Sequence, residues 1–327
     1  MAYDGRILRR AQEKYDEDRA RHEAETQRRR EAIFLRQPRL RDIDRELKAT
    51  MAKIIRSALL RGTDPSGPIE VLRDENLNLQ KERSALLRAM GLPEDALEEK
   101  PLCPLCGDSG YRPGGEVCRC LREYYAREQR KELSRLLDLG SQSFESFSLD
   151  WYSEEERPEL GISDRENMDR TLRTCRRFAE NFTPGRSGNL LLFGAPGLGK
   201  THLSAAIARE VCDRGCSVVY DTAGHVFSRF EAEKFDREAD GSVERILRCD
   251  LLILDDLGTE MTTSFVVSAL YQIVNTRLLE RRSTIISTNL RPDQLAARYS
   301  PQIASRVEGE YQGLPFFGRD IRLRKRG

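Results

Sequence analysis

The chain has 327 residues, 39% hydrophobic and 33% charged, with 55 Lys and Arg against 54 Asp and Glu for a formal net charge of +1. That balance excludes a polyelectrolyte binder of nucleic acid, so any such contact must come from a local patch. Pure hydrocarbon runs reach only four residues, at Leu190–Phe193 and Leu251–Leu254, which excludes a membrane-spanning helix, and the charged opening points to a cytoplasmic rather than an exported chain.

Residues 6–37 contain neither Gly nor Pro and are dominated by charge. They read as a solvated helix with a thin apolar seam (Ile7, Ala11, Tyr15), either a mobile arm or a helix needing a partner; the arm is taken as 1–39. Leu40, Ile43, Leu47, Met51, Ile54 and Ala58 then recur at spacings of three and four. The Gly- and Pro-containing stretch Arg61–Pro68 breaks that stripe. A second stripe follows at Leu72, Asn76, Leu79, Arg83, Leu86 and Met90, ended by Gly91 and Pro93. The pair predicts an antiparallel helical hairpin, too small to hold alone without a staple.

The expected staple is a cysteine cluster. Cys103-Pro-Leu-Cys106 and Cys118-Arg-Cys120 enclose an eleven-residue loop. Four thiolates suit tetrahedral zinc, with an iron–sulfur cluster or unligated thiols as alternatives on spacing alone. With no open coordination position the metal is structural. A helix from about Leu121 to Leu139 closes a region of 40–139. Residues 140–163, holding the only tryptophan, Trp151, show no period and read as an ordered linker.

The texture then changes. Ser163 and Glu166 form a capping box for a helix to about Phe182. Apolar runs at 190–193, 217–220, 251–254 and 284–287 alternate with helical stretches. Such alternation predicts an α/β domain over 164–327, a parallel sheet with helices on both faces.

Chemistry gathers at the ends of these strands. Gly194-Ala195-Pro196-Gly197-Leu198-Gly199-Lys200-Thr201 follows one strand and opens a helix near His202, which is the context a phosphate-binding loop requires. Backbone N–H groups and the helix N-terminus would cradle phosphate, Lys200 would reach the β/γ oxygens, and Thr201 would meet Mg²⁺. Only nine of the 55 basic residues are lysine, so a lysine here is unlike the background usage. Leu251–Leu254 runs into Asp255-Asp256. Asp255 is assigned to the Mg²⁺ shell and Asp256 to orienting or deprotonating the attacking water. Asn289 ends the strand at Thr284–Thr288, placed to bond a γ-phosphate or the water. Arg306, on a helix beyond it, is a trans-acting cation or a plain surface residue.

These four elements resemble those of AAA+ ATPases, with Asn289 at the sensor-1 position and Arg306 at the arginine-finger position. Gly-Lys-Thr-His-Leu (199–203), Asp-Leu-Leu-Ile-Leu-Asp-Asp-Leu-Gly-Thr-Glu (250–260), Ile-Ile-Ser-Thr-Asn-Leu (285–290), Ser-Arg-Val (305–307) and Phe-Gly-Arg-Asp-Ile-Arg (317–322) narrow the resemblance. They look like bacterial replicative helicase loaders of the DnaC/DnaI type and the related transposition helpers of the IstB type. The resemblance covers about 141–327, and more weakly the hairpin and cysteine segment, where it favours zinc. It departs at Gln302, where loader relatives usually carry a further arginine. It implies an ATP- and Mg²⁺-dependent ATPase with a reduced lid, since only 38 residues follow Asn289 and a fifth strand near Leu314–Phe317 uses some of them. Arg322 would give a residual sensor-2 contact.

The implied role is loading a DnaB-type replicative helicase onto single-stranded DNA, with ATP hydrolysis as the release switch and self-association into an AAA+ oligomer. The alternative is a transposition helper that recruits a transposase to DNA. A small-molecule kinase fits less well, because it leaves Asn289 and Arg306 unexplained. Arg229, Lys234, Arg237 and Phe227, Phe230 and Phe235 are DNA-contact candidates, though Val226, Phe227 and Phe230 also sit at core spacing. Arg319–Arg326 reads either as a second basic patch or as a plain solvated end. Cys175, Cys212, Cys216 and Cys249 read as small buried residues, and His22, His202 and His225 show no metal-ligand spacing.

Overall fold

The computed structural model describes residues 3–59, 66–134, 141–235 and 241–324. Of the helix-breaking stretch expected at 61–68, residues 61–65 lie outside the described residues, while 66–68 already belong to the helix Ser66–Ala89. The basic Arg237 and 325–326 of the tail lie outside too, as do the side chains of Met51, Ile54, Ala58, Leu72 and Phe235. The chain forms two compact units, one of Met1–Glu13 with Arg119–Gly327 and one of Lys14–Cys118.

In the larger unit five strands form one sheet: β1 (Asn189–Gly194), β2 (Val218–Thr222), β3 (Leu251–Leu257), β4 (Ser283–Thr288) and β5 (Tyr311–Phe316). Their order is β2-β3-β4-β1-β5, and every neighbouring pair is parallel. The strands are continuous apolar runs because both faces are buried. Leu190, Leu192, Leu251 and Ile253 pack on one side with Met168 and Cys175 of α5 (Asp164–Glu180) and Leu203 and Ile207 of α6 (Lys200–Asp213). Leu191, Leu252, Leu254 and Ile286 pack on the other. Their partners come from α7 (Ala223–Phe235), α8 (Ser242–Arg248), α9 (Ser264–Leu279), α10 (Pro292–Arg298) and α11 (Pro301–Glu310). The expected α/β sheet covered on both faces is therefore present. Because every strand runs the same way, the loops after β1, β3 and β4 emerge together at the carboxyl edge.

Several local predictions reappear in the backbone. Ser163 accepts from the Glu166 amide and the Glu166 side chain accepts from the Ser163 amide, so α5 opens on the predicted capping box. β5 begins at Tyr311, earlier than its apolar pattern indicates, because exposed Gln312 and Gly313 interrupt the pattern while pairing with β1 continues. Of the helix predicted at 121–139, α4 covers Arg119–Leu133, and 135–140 lie outside the described residues.

Two nonlocal side chains complete the hydrogen bonding of this unit. Gln129 of α4, almost fully buried, donates to the Cys216 carbonyl at 2.8 Å and accepts from the Val218 amide at 3.2 Å, standing in for a neighbour at the edge of β2. Arg277, the largest fully buried side chain among the described residues, donates to the Ile246, Leu247, Cys249 and Ser283 carbonyls at 2.6–3.1 Å and to the Thr284 hydroxyl. It satisfies carbonyls at the end of α8 that the helix itself leaves orphaned. At the N-terminus the Tyr3 ring meets Tyr125 edge-on, and Asp4 accepts from Arg245 at 2.8 Å.

In the smaller unit the distal part of α1 (Gly5–Arg36) joins α2 (Pro38–Leu59) and α3 (Ser66–Ala89). Ile33, Phe34, Leu40, Leu87, Ala96 and Leu97 form its core. Beside it Arg30 pairs with Asp44 and Glu99. Of the predicted seam, Tyr15 is buried in this unit, and Ile7 and Ala11 are buried in the larger one. No helix among the described residues is long and apolar enough to cross a membrane.

Candidate nucleotide site and cysteine cluster

The turn from β1 into α6 is held open by glycines and pinned from outside. Gly197 has φ +76°, and a Cβ there would lie 1.9 Å from Asp320 Oδ1. Gly199 has φ +88°, and a Cβ there would lie 2.9 Å from the Phe147 ring. The Tyr152 hydroxyl donates to the Leu198 carbonyl at 2.8 Å, and the Ile321 amide donates to the Gly197 carbonyl at 3.0 Å. The loop thus touches two segments distant in sequence, one before the sheet and one after it.

The Lys200 ammonium is buried and donates to three acceptors: the Gly194 carbonyl at 2.7 Å, the Ala195 carbonyl at 2.8 Å and Asn289 Oδ1 at 2.8 Å. The ends of β1 and β4 therefore meet through one side chain. Burial pulls the lysine pKa down, opposed by the charges of Asp256 and Asp255.

The two aspartates differ sharply. Asp255 is buried; it accepts from the Tyr220 hydroxyl at 2.7 Å, from the Ser287 hydroxyl, and from the Asp256 amide at 3.1 Å. Asp256 stands in a left-handed backbone conformation (φ +54°) and faces the site cavity. Burial, and then the Asp255 charge, raise its carboxyl pKa. Tyr220 is itself held well above the usual phenol range, by burial first and then by Asp255, so it remains a donor to that carboxylate.

The cavity has a volume of about 380 Å³. Pro196, Gly197, Gly199, Lys200, Thr201 and His202 form one wall, with Asp256 and Asn289 at the carboxyl edge of the sheet. Ile321 and Arg322 line it from the segment after β5. Gln142, Phe147, Trp151 and Tyr152 close it from the stretch read as a linker. Ala195 contributes its carbonyl to Lys200, while Leu198 is buried in the core. His202 Nε2 is 2.8 Å from the Ser143 carbonyl, and its ring meets Phe147 edge-on. Arg306 does not line the cavity. Its guanidinium lies 5.4 Å from the Tyr271 ring centre and donates to the Tyr271 hydroxyl at 3.3 Å.

This arrangement suits a polyanion. A lysine, an arginine and a helix N-terminus converge on one cavity, with an ionisable carboxylate opposite. Thr201 and Asp256 offer the hard oxygen donors that Mg²⁺ prefers, beside the space for phosphate oxygens. Bound there, Mg²⁺ would supply neutralisation of phosphate charge. Asp255, assigned to the metal shell on sequence, lies behind that wall with both oxygens engaged.

Residue reading alone missed Gln142, Phe147, Trp151 and Tyr152, because they lie in a segment without period. The one available signal was the chain's single tryptophan in an otherwise aromatic, irregular stretch. Tyr220 and Ser287, which hold Asp255, were hidden inside strands. The proposed stacking role of phenylalanines 227 and 230 is overturned: both are buried in the core, where their spacing also placed them. Nearby, Arg229 pairs with Asp221 at 2.8 Å and the Lys234 ammonium lies 5.3 Å from the Phe265 ring centre.

Cys103, Cys106, Cys118 and Cys120 converge, with all four sulfurs within 4.8 Å of one another. Cys103 and Cys118 Sγ are 3.8 Å apart. Zinc–sulfur bonds of about 2.3 Å in a tetrahedron separate sulfurs by about 3.8 Å, so the donor set fits zinc. The first turn is fixed locally: Gly107 donates to the Cys103 carbonyl at 3.0 Å, and Asp108 accepts from the Leu102 and Cys103 amides at 3.0 and 2.7 Å. Cys175, Cys212, Cys216 and Cys249 are buried apart, as expected. Burial pushes the Cys212 thiol up to about 12, which keeps it inert near neutrality.

Residues 164–302 match the family described as IstB-like ATP binding protein. A protein of Sinorhizobium fredii named as an insertion sequence ATP-binding protein is 32% identical over 104 residues, 32% of this chain and 35% of that protein. The replicative helicase loader DnaC of Escherichia coli is 29% identical over 140 residues, 42% of this chain and 56% of that protein. Among solved structures, the DnaC helicase loader aligns with TM-score 0.46 at 21% identity, covering 55% of this chain and 99% of that one. DnaI aligns with TM-score 0.45 at 23% identity, covering 56% and 92%. The chain thus spans only about a third to just over half of the curated relatives' length.

Proposed function

We propose, from the premise that residues 164–302 are an IstB-like ATP-binding domain homologous to the DnaC loader and to insertion-sequence ATP-binding proteins, that this protein is an Mg²⁺-dependent ATPase that loads a replicative helicase onto single-stranded DNA. The observation that carries the ATPase reading is the meeting of Lys200, Asn289 and Asp256 on one cavity at the sheet's carboxyl edge. Lys200 and the loop amides would hold the β- and γ-phosphates, Thr201 would supply an oxygen to Mg²⁺ with Asp256 beside it, and Asp256 would take the proton of the attacking water. Asn289 orients the γ-phosphate. Arg306, away from its own cavity, serves a neighbouring subunit's nucleotide in a self-associated ring. Helicase loading is preferred to transposase recruitment because the four-cysteine cluster precedes the ATPase unit, in the segment over which the weaker resemblance set out above extends. Zinc in that cluster would shape the helicase-binding region at residues 40–139.

Two measurements test this reading. Lys200→Ala should lose Mg-ATP binding by calorimetry and hydrolysis with it; wild-type hydrolysis in that variant overturns the site. The full chain should capture a replicative helicase of the DnaB type in an ATP-dependent complex. Capture of a transposase and no helicase instead selects the transposition helper.

A further inference from the structure

The sequence run that resembles the loader-type proteins ends in Gly258-Thr259-Glu260, three residues that line no part of the nucleotide cavity. They follow a break in the sheet ladder. Leu254 pairs with Ile286 and Leu257 with Thr288, so β3 takes three steps where β4 takes two. The extra residue makes a bulge at Asp255-Asp256, and a bulge beside a site re-aims a side chain. Asp256 there has φ +54°, a conformation that a residue with a Cβ keeps only where its surroundings hold it. The Asp256 carbonyl accepts from the Thr259 amide at 3.3 Å and from the Thr259 hydroxyl at 2.9 Å. Glu260 then locks the turn. Its Oε2 accepts from the Gly258 amide at 3.0 Å, its Oε1 accepts from the Tyr299 hydroxyl, and its carbonyl accepts from Arg298 at 2.6 Å. Tyr299 is buried at the end of α10, so the carboxylate ties the turn to a fixed point of the core. A Cβ on Gly258 would lie 2.8 Å from Leu290, the neighbour of Asn289, so the same turn is seated against the end of β4.

We infer that Glu260 is a positioning residue: by holding the Gly258 amide and the Tyr299 hydroxyl at once, it keeps the bulge formed and the Asp256 carboxylate aimed at the attacking water. This rests on the ATPase reading of Asp256 and adds the residue that sets its geometry. Glu260 itself touches neither nucleotide nor water, so its effect on hydrolysis passes through the turn. Small displacements of a reacting group are costly in rate, whereas phosphate binding depends on the loop after β1 and is left intact. Methionine in place of Glu260 keeps the length but leaves the Gly258 amide without its acceptor. Glutamine still offers that amide an oxygen, and its NH₂ can donate to the Tyr299 hydroxyl.

The test uses the full chain and two readouts. Without nucleotide, amide hydrogen exchange over 256–260, read by mass spectrometry, should be about tenfold faster in Glu260→Met than in the wild type, the worth of one hydrogen bond. Glu260→Gln should stay near the wild type. With Mg-ATP, Glu260→Met should bind within about twofold of the wild type by calorimetry, which also shows that it is folded, while kcat falls about tenfold. Glu260→Gln should recover most of that rate. In an Asp256→Asn background the methionine should change the residual rate by less than about twofold, because the carboxylate it acts through is already gone. Unchanged exchange, an unchanged rate, lost nucleotide binding, a full effect in the Asp256→Asn background, or glutamine as damaging as methionine overturns the inference and leaves the wild-type ATP site standing. A wild-type chain that does not hydrolyse Mg-ATP overturns the ATPase reading and this inference with it.

Discussion

Asp256 combines three properties that separate it from an ordinary turn residue: a left-handed backbone, a place on the cavity wall and a raised carboxyl pKa. Asparagine tolerates that backbone well, so Asp256→Asn isolates the charge. Ionisation of a carboxyl with a raised folded-state pKa opposes folding: the stabilisation is fully present below the unfolded-state pKa and is lost as pH rises through the folded one. At pH 7 Asp256→Asn should therefore raise the thermal unfolding midpoint, while hydrolysis measured by phosphate release falls by about 100-fold or more. The wild-type rate should also begin to fall on acidification at a higher pH than an exposed carboxylate would give. A variant that is both less stable and equally active would contradict this assignment. The aspartate pair itself was legible in the sequence, because an apolar strand ending in two acids is a local pattern. The difference between its members was not, because it is made by Tyr220 and Ser287 from two other strands.

At the scale of elements, the strands and the capped helix α5 were readable because their causes are local: continuous burial, a capping box, glycines in a turn. What bound elements to one another was not readable. Arg277 lies in the last turn of α9 in a sequence where arginine is the default cation, and nothing local marks it as the residue that satisfies the end of α8 and the start of β4. Replacing it with methionine keeps much of the volume but leaves those carbonyls buried and unpaired. Arg277→Met should lower unfolding stability in urea by about 3 kcal/mol or more, with the midpoint shifting and the slope unchanged. A shift within experimental error would show that water replaces the guanidinium. The extent of β5 was missed for a related reason, since its register depends on β1 rather than on its own alternation.

For the whole molecule, the cysteine cluster and the nucleotide cavity draw on separate residues. Elemental analysis of the purified chain should give one zinc per polypeptide, and Cys118→Ser should remove most of it while Mg-ATP binding persists. Loss of both together would show that the metal supports the ATPase unit. A different consequence follows from the tryptophan on the cavity rim. It is the chain's only one, so its ultraviolet emission is an optical signal from that rim alone, free of background from any other indole. Occupancy of the cavity should alter its colour and brightness, and stopped-flow mixing would then time each arrival and departure without an attached dye.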